Sequence, residues 1–245
     1  MLTNLFLPIF ERLLPDGVEF GTNLLVEFDA DSAWYEASLT IVAQALRGGR
    51  KAEYHTFQHL PADIEVDMRK FGLDPTKLEA EGKFRLVDSF AVQTGGLNPV
   101  DQNDPAAKSL KVPELSIAAA EAIRKERREG IPDVDKGWVH VDDNTGIMTR
   151  YNPENNLLDY WRTRHIPLTR LAQNLMVFSI LNGTVSENFR AQFETINDGI
   201  IDFKRQDREG EVAQLVRVRR IRGKKFDPRW QQLNVSEIGE VTLVP

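Results

Sequence analysis

Two periods of apolar and polar positions run along this chain. Leu24, Leu25 and Val26 form a continuous apolar run suited to a buried parallel strand, and helical spacing follows through Leu39, Val42 and Leu46 to a Gly48-Gly49 stop. Upstream, Leu5, Ile9, Leu13 and Leu14 recur at helical spacing and predict a short helix ending before Pro15-Asp16-Gly17. Val18 to Phe20 then leads through Gly21 into the first strand. Downstream, 52–57 predicts a second strand, Pro61 opens a helix through Ile64, Met68 and Phe71 that stops at Gly72, and Phe84 to Val87 predicts a third strand ending on Asp88.

Residues 93–112 are rich in Gly, Asn, Asp and Pro, and predict a mobile or functional loop, a candidate insertion or lid. A helix is predicted from Pro113 to Arg128; Arg124, Lys125, Arg127 and Arg128 crowd its last turn, where cations suit the helix dipole. Gly137 to Asp143 predicts a strand ending in two carboxylates, and Leu157 to Ala172 a helix kinked or broken by Pro167. Leu175 to Leu181 is strongly apolar and ends at Asn182-Gly183, as a central strand should. Gly199 to Lys204, Gln214 to Ile221 and Val241 to Val244 predict antiparallel strands added at an edge. Strands alternating with helices indicate an α/β fold with a mostly parallel sheet covered on both faces. We expect a single domain over 1–245, with 199–245 as its antiparallel extension.

Composition narrows the function classes only modestly. A chain of 245 residues can bury a substantial core, and a net charge of −6 argues against a whole-surface attraction to nucleic acid or anionic membrane. There are no cysteines, which rules out disulfides, thiolate metal sites and cysteine nucleophiles and fits a reducing cytoplasm. The opening MLTNLFLPIFERLL lacks a leading positive charge and is interrupted by Pro8 and Glu11, so it reads as neither signal peptide nor membrane span. The expected location is cytoplasmic.

The candidate chemistry lies between the first strand and its helix. Strand, turn and helix in this order is the setting of a phosphate-binding loop, in which glycines bring backbone N–H groups to a nucleotide and a lysine meets its charge. Against G-x-x-x-x-G-K-[ST], the eight residues Phe28, Asp29, Ala30, Asp31, Ser32, Ala33, Trp34 and Tyr35 put Phe28 and Ala33 at the glycines, Trp34 at the lysine and Tyr35 at the magnesium-binding hydroxyl. Replacing a lysine forfeits about 4 kcal/mol of attraction to a phosphate at ~4 Å and an effective dielectric of ~20. Asp29 and Asp31 would add repulsion. The alternative is an ordinary strand-loop-helix unit of another doubly wound domain.

With the pieces in order, the chain resembles the KaiC-like branch of the RecA superfamily of ATPases over most of its length. LFLPIFERLLPDGVEFGTNLLVEFD is similar to that family's opening helix, glycine-rich turn and phosphate-loop strand. AEYHTFQHLPADIEVDMRKFGLDPTKLEAEGKFRLVDSF resembles its second strand, following helix and third strand; WVHVDD resembles a Walker B strand; INDGIIDFKR and LVRVRRIRGKKFD resemble its closing strands with their K-x-R-G signature. The resemblance implies a RecA-like three-layer α/β domain, with Asp142 and Asp143 as the Walker B carboxylates. It implies that Gln58 and His59 stand where active members carry paired glutamates, and Gln58 cannot act as a base. It also implies that Arg220 and Arg222 match a lysine and arginine that reach toward a neighbouring subunit's triphosphate.

These departures lead us to expect a non-catalytic, degenerate ATPase homologue without an ATP or magnesium cofactor. It would act as a regulatory or assembly subunit through protein contacts, with copies of itself or with an active relative, and not at a membrane. Arg219, Arg220 and Arg222, in the dense basic run 217–225, support two further readings: a contact completing a partner's active site in trans, or DNA binding by a recombinase-like paralogue. The bland reading is an edge strand charged against aggregation. A last alternative is an enzyme or residual nucleotide binder with a repurposed pocket, because His55, His59, His140, Asp88, Asp142 and Asp143 fall near the ends of predicted parallel strands. No metal site is assigned, since His55 and His140 alternate with apolar neighbours as structural histidines do.

Overall fold

A computed structural model describes residues 4–89, 130, 133–208 and 211–244. The predicted loop 93–112 and the predicted helix Pro113–Arg128 lie outside the described residues. Among the described residues a nine-stranded sheet carries the fold, in the order β3-β2-β4-β5-β1-β6-β7-β8-β9. Its strands are β1 (Asn23–Phe28), β2 (Lys51–Thr56), β3 (Phe84–Asp88), β4 (Trp138–Asp142), β5 (Leu175–Leu181), β6 (Gly199–Arg208), β7 (Glu211–Ile221), β8 (Gln231–Val235) and β9 (Val241–Leu243). Neighbours from β3 across to β6 pair in parallel, and β6 to β9 pair antiparallel. This is the RecA-like architecture, a mostly parallel sheet with an antiparallel C-terminal part.

The strands that the apolar runs predict are central. β1 is buried along its whole length between β5 and β6. Its alternation splits the core: Leu24 and Val26 face one layer, and Leu25 faces the other. The first layer holds α1 (Trp34–Arg47), α2 (Pro61–Lys70) and the short α3 (Pro75–Ala80), packed on Tyr54, Val139, Val141 and Val177. The second holds α4 (Glu154–Tyr160), α5 (Ile166–Ala172) and α6 (Glu187–Ile196), which set Leu157, Trp161, Phe189 and Phe193 against Leu25, Met176 and Phe178.

Three expectations change. The apolar residues of the opening segment are buried, but only Pro8–Phe10 makes a helical turn, of 3-10 type. The chain is instead bent back on itself by a pair of backbone hydrogen bonds between Leu5 and Val18. Gly17 permits that bend: its φ is +67°, and a Cβ there would lie 2.7 Å from the Leu5 carbonyl oxygen. Second, Gly199–Lys204 is not an edge strand. It belongs to β6, which pairs in parallel with β1 as well as antiparallel with β7, so the sheet changes direction one strand later. Third, the helix expected over 157–172 does not break at Pro167. It widens into a π-helical stretch at Trp161–His165, just ahead of the proline that cannot return an N–H to the preceding turn.

Candidate functional site

The stretch from Phe28 to Tyr35 lies where the sequence places it, between the end of β1 and the start of α1. Trp34 opens α1 and turns inward, with only 1% of its surface exposed. Its indole packs against Phe28 and Phe203, with ring centroids 6.1 and 5.2 Å away, and its Nε1–H donates to the Asp143 carbonyl at 3.1 Å. The turn is also closed on itself. Ser32 donates from both its backbone N–H and its hydroxyl to the Asp29 carbonyl, and Asn182 donates to the Asp29 carboxylate at 2.7 Å. The Ala33 N–H, at the N-terminus of α1, is taken by Gln214 Oε1 at 2.9 Å, while Gln214 Nε2 donates to the Asp31 carbonyl. Arg205 approaches the Asp31 carboxylate at 3.7 Å.

Asp142 ends β4, Asp143 follows it, and their side chains part company. Asp143 points into the first layer, where its carboxylate accepts from the backbone N–H groups of Phe57 (2.7 Å) and Gln58 (3.2 Å) and from the Thr56 hydroxyl (3.2 Å). His59 Nδ1 lies 3.0 Å from the same carboxylate, and the His59 ring packs against Tyr35 with centroids 4.0 Å apart and planes tilted by 30°. Tyr35 in turn donates to Asp67 at 2.7 Å. Gln58, His59, Asp143, Trp34 and Tyr35 are therefore joined in one set of internal contacts.

Asp142 belongs to the second layer. Its Oδ2 accepts from the Thr145 hydroxyl at 2.8 Å, its Oδ1 is buried without a hydrogen-bond partner, and burial raises its pKa. There it meets a group that the sequence reading only half identified. Glu53 and His55 on β2 face His140 and Asp142 on β4, and the register pairs Glu53 with His140 and His55 with Asp142. Glu53 Oε1 lies 2.7 Å from His55 Nε2 and 2.8 Å from His140 Nδ1. Burial alone would raise the pKa of Glu53, but the contacts with the two imidazoles hold it well below the usual carboxylate range. Burial would lower that of His55, but Asp142 and Glu53 raise it. His165, which reaches the same region from the π-helical stretch, is pushed down to about 3 by burial.

A pocket of about 630 Å³ adjoins these side chains, and Asp88, Arg164 and Phe178 contribute to its lining. Of the residues predicted near strand ends, His55, His140, Asp88 and Asp142 thus gather at this pocket, whereas His59 and Asp143 belong to the other layer. Glu53 went unrecognised. Its signal was the pair of alternating motifs Glu53-x-His55 and His140-x-Asp142 on adjacent strands.

The predicted contact arginines are engaged within the chain. Arg219 Nη2 lies 2.9 Å from Glu27, 3.2 Å from Glu194 and 3.4 Å from Asp202. Arg220 donates to the carbonyls of Glu194 and Asn197. Arg222 meets Asp198 at 3.3 Å, with 63% of its side chain exposed. Arg219 and Arg220 therefore fasten β7 to α6 and the turn after it. No helix of the described residues is long and apolar enough to cross a membrane.

Comparison with known proteins agrees with this fold. Residues 10–245 match the family described as ATPase: KaiC. A protein of Aeropyrum pernix named UPF0273 protein is 25% identical over 201 residues, covering 79% of this chain and 74% of its own. The crystal structure of a KaiC-like protein from Pyrococcus horikoshii shares the fold, with a TM-score of 0.67 over the full length of both chains at 16% identity.

Proposed function

The chain belongs to the KaiC ATPase family, and from that premise we propose that it is a member that works by binding other proteins and does not hydrolyse ATP. One observation carries this reading: the side chain at the lysine position is an indole, buried and hydrogen-bonded to the backbone of the Walker B strand's end. A triphosphate does not fit these residues. It would need the volume that Trp34 shares with Phe28 and Phe203, and the Ala33 N–H that Gln214 occupies, and it would gain no lysine in return. The neighbouring acid-base positions support the same reading. Gln58 has no basic group, and the Asp143 carboxylate is already surrounded by donors from the β2–α2 connection.

What remains is the family framework, and protein contact is the use it can still serve, as a self-associating subunit or as the partner of an active relative. Calorimetric titration with ATP and magnesium should show no binding, and the purified chain should release no phosphate from ATP. Micromolar binding of ATP, or turnover abolished by Asp143→Asn, would overturn the proposal. Light scattering of the chain alone, and mixed with an active family member, tests the contact itself: a monomer that forms no complex would leave that part without support.

A further inference from the structure

The second layer contains a constellation that the phosphate-loop reading does not use. Glu53, His55 and His140 each offer a ligand atom, and these atoms all lie within 4.8 Å of one another. We propose that Glu53, His55 and His140 form a binding site for one divalent transition-metal ion, held by two imidazoles and one carboxylate and open toward the adjoining pocket. Two strands bring this about. Alternation puts Glu53 and His55 on one face of β2, and the parallel register lays His140 and Asp142 directly beside them on β4.

The contacts allow the ion in. His55 Nε2 and His140 Nδ1 both converge on Glu53 Oε1, at 2.7 and 2.8 Å, so a cation placed among them replaces the protons that now bridge these atoms. Bonds of about 2.0–2.1 Å at tetrahedral angles need ligand separations of roughly 3.3 Å, so each of the two contacts with Glu53 would open by about half an ångström. Arg85 engages the other oxygen of Glu53, Oε2, at 3.5 Å and leaves Oε1 to the site.

An independent observation also points to a ligand. Asp142 Oδ1 is buried without a hydrogen-bond partner and lies 3.9 Å from His55 Nδ1. Asp142 is 5% exposed, and a metal on His55 Nε2 would fix that ring's proton on Nδ1, facing the buried Asp142 carboxylate. Imidazole with carboxylate, in a chain that has no thiolates, selects zinc, cobalt, nickel or iron over calcium or magnesium. Three protein ligands leave a coordination position for water or a small molecule in the pocket of about 630 Å³. The site lies on the opposite side of the sheet from Trp34, so it stands or falls independently of the phosphate loop.

The test uses the full chain, stripped with chelator and titrated with cobalt(II) and then zinc(II). One equivalent should bind, with visible cobalt absorption that zinc displaces. His55→Ala, His140→Ala and Glu53→Gln should each weaken binding at least about tenfold, while His59→Gln leaves it unchanged. Because the ligand variants could misfold, the imidazole resonances of the unaltered protein provide a second reading: zinc should shift those of His55 and His140 and leave that of His59. Absence of stoichiometric binding would overturn the proposal, as would binding that survives loss of His140 in folded protein, or a zinc shift confined to His59.

Discussion

At the scale of single residues, Trp34 decides how the phosphate loop is read, because one side chain both removes the expected cation and supplies part of the core. If its role is to fill and fasten the loop, shortening it should cost stability. Trp34→Ala should lower the unfolding free energy by about 3–5 kcal/mol, the usual loss for truncating a large buried aromatic. Trp34→Phe keeps most of the packing against Phe28 and Phe203 but deletes the hydrogen bond to Asp143, and should cost less. Urea unfolding followed by circular dichroism measures both. Equal costs for the two variants would mean that the hydrogen bond, not the volume, holds the loop. The substitutions Phe28→Gly, Ala33→Gly, Trp34→Lys and Tyr35→Thr would rebuild the motif letters together, yet Gln214 would still cap the Ala33 position, and we expect no ATP binding without its removal as well.

At the scale of elements, the join between β1, α6 and β7 is made by charge inside a mostly apolar layer. Glu27 on β1 is 4% exposed and faces Arg219 of β7 together with Glu194 of α6 and Asp202 of β6. Burial, reinforced by Glu194, raises its pKa from 4.5 to about 7, against the pull of Arg219. The folded protein therefore holds this proton more tightly than the unfolded chain does. The stability it contributes is complete below the unfolded value near 4.5 and is lost as pH rises through about 7. Glu27→Gln removes the titration, so its stability relative to the unaltered protein should improve steadily from pH 5 to pH 8 in urea melts; a difference independent of pH would contradict this. The sequence concealed the join, because Glu27 sits in a run that otherwise reads as a plain apolar strand. Elements set by local signals were legible: β1, α1, α2, β4 and β5 follow from periodicity, the proline that opens α2 and glycine stops. Those set by distant partners were not. The opening segment needed Val18 to bend it, β6 needed β1 to make it central, and the Glu53 cluster needed the register of β2 against β4. The position of Trp34 could be read, but not what its nitrogen would bind.

At the scale of the whole molecule, the question is whether the basic run 217–225 gives an acidic chain a surface for nucleic acid. In sequence the run is dense, but in space nearly every cation named in it is matched by an acidic or carbonyl group from an earlier element. Arg217 meets Asp202 at 2.7 Å and lies over the Trp230 ring, Arg219 is shared among three carboxylates, and Arg220 is held by two backbone carbonyls. Arg222 meets Asp198, and Lys224 meets Glu19 at 2.6 Å. Binding DNA there would mean breaking such contacts before phosphate contacts could form, in a chain whose net charge is −6. Affinity from counterion release needs cations free to neutralise phosphates, and here most of that capacity is already spent within the fold. We therefore expect no retardation of single- or double-stranded oligonucleotides even at low ionic strength. Retardation that weakens steeply with salt and disappears when Arg219, Arg220 and Arg222 are changed to alanine would show instead that these intramolecular contacts yield to phosphate. In that event the basic strand, and not the family framework alone, would be the surface through which the chain acts.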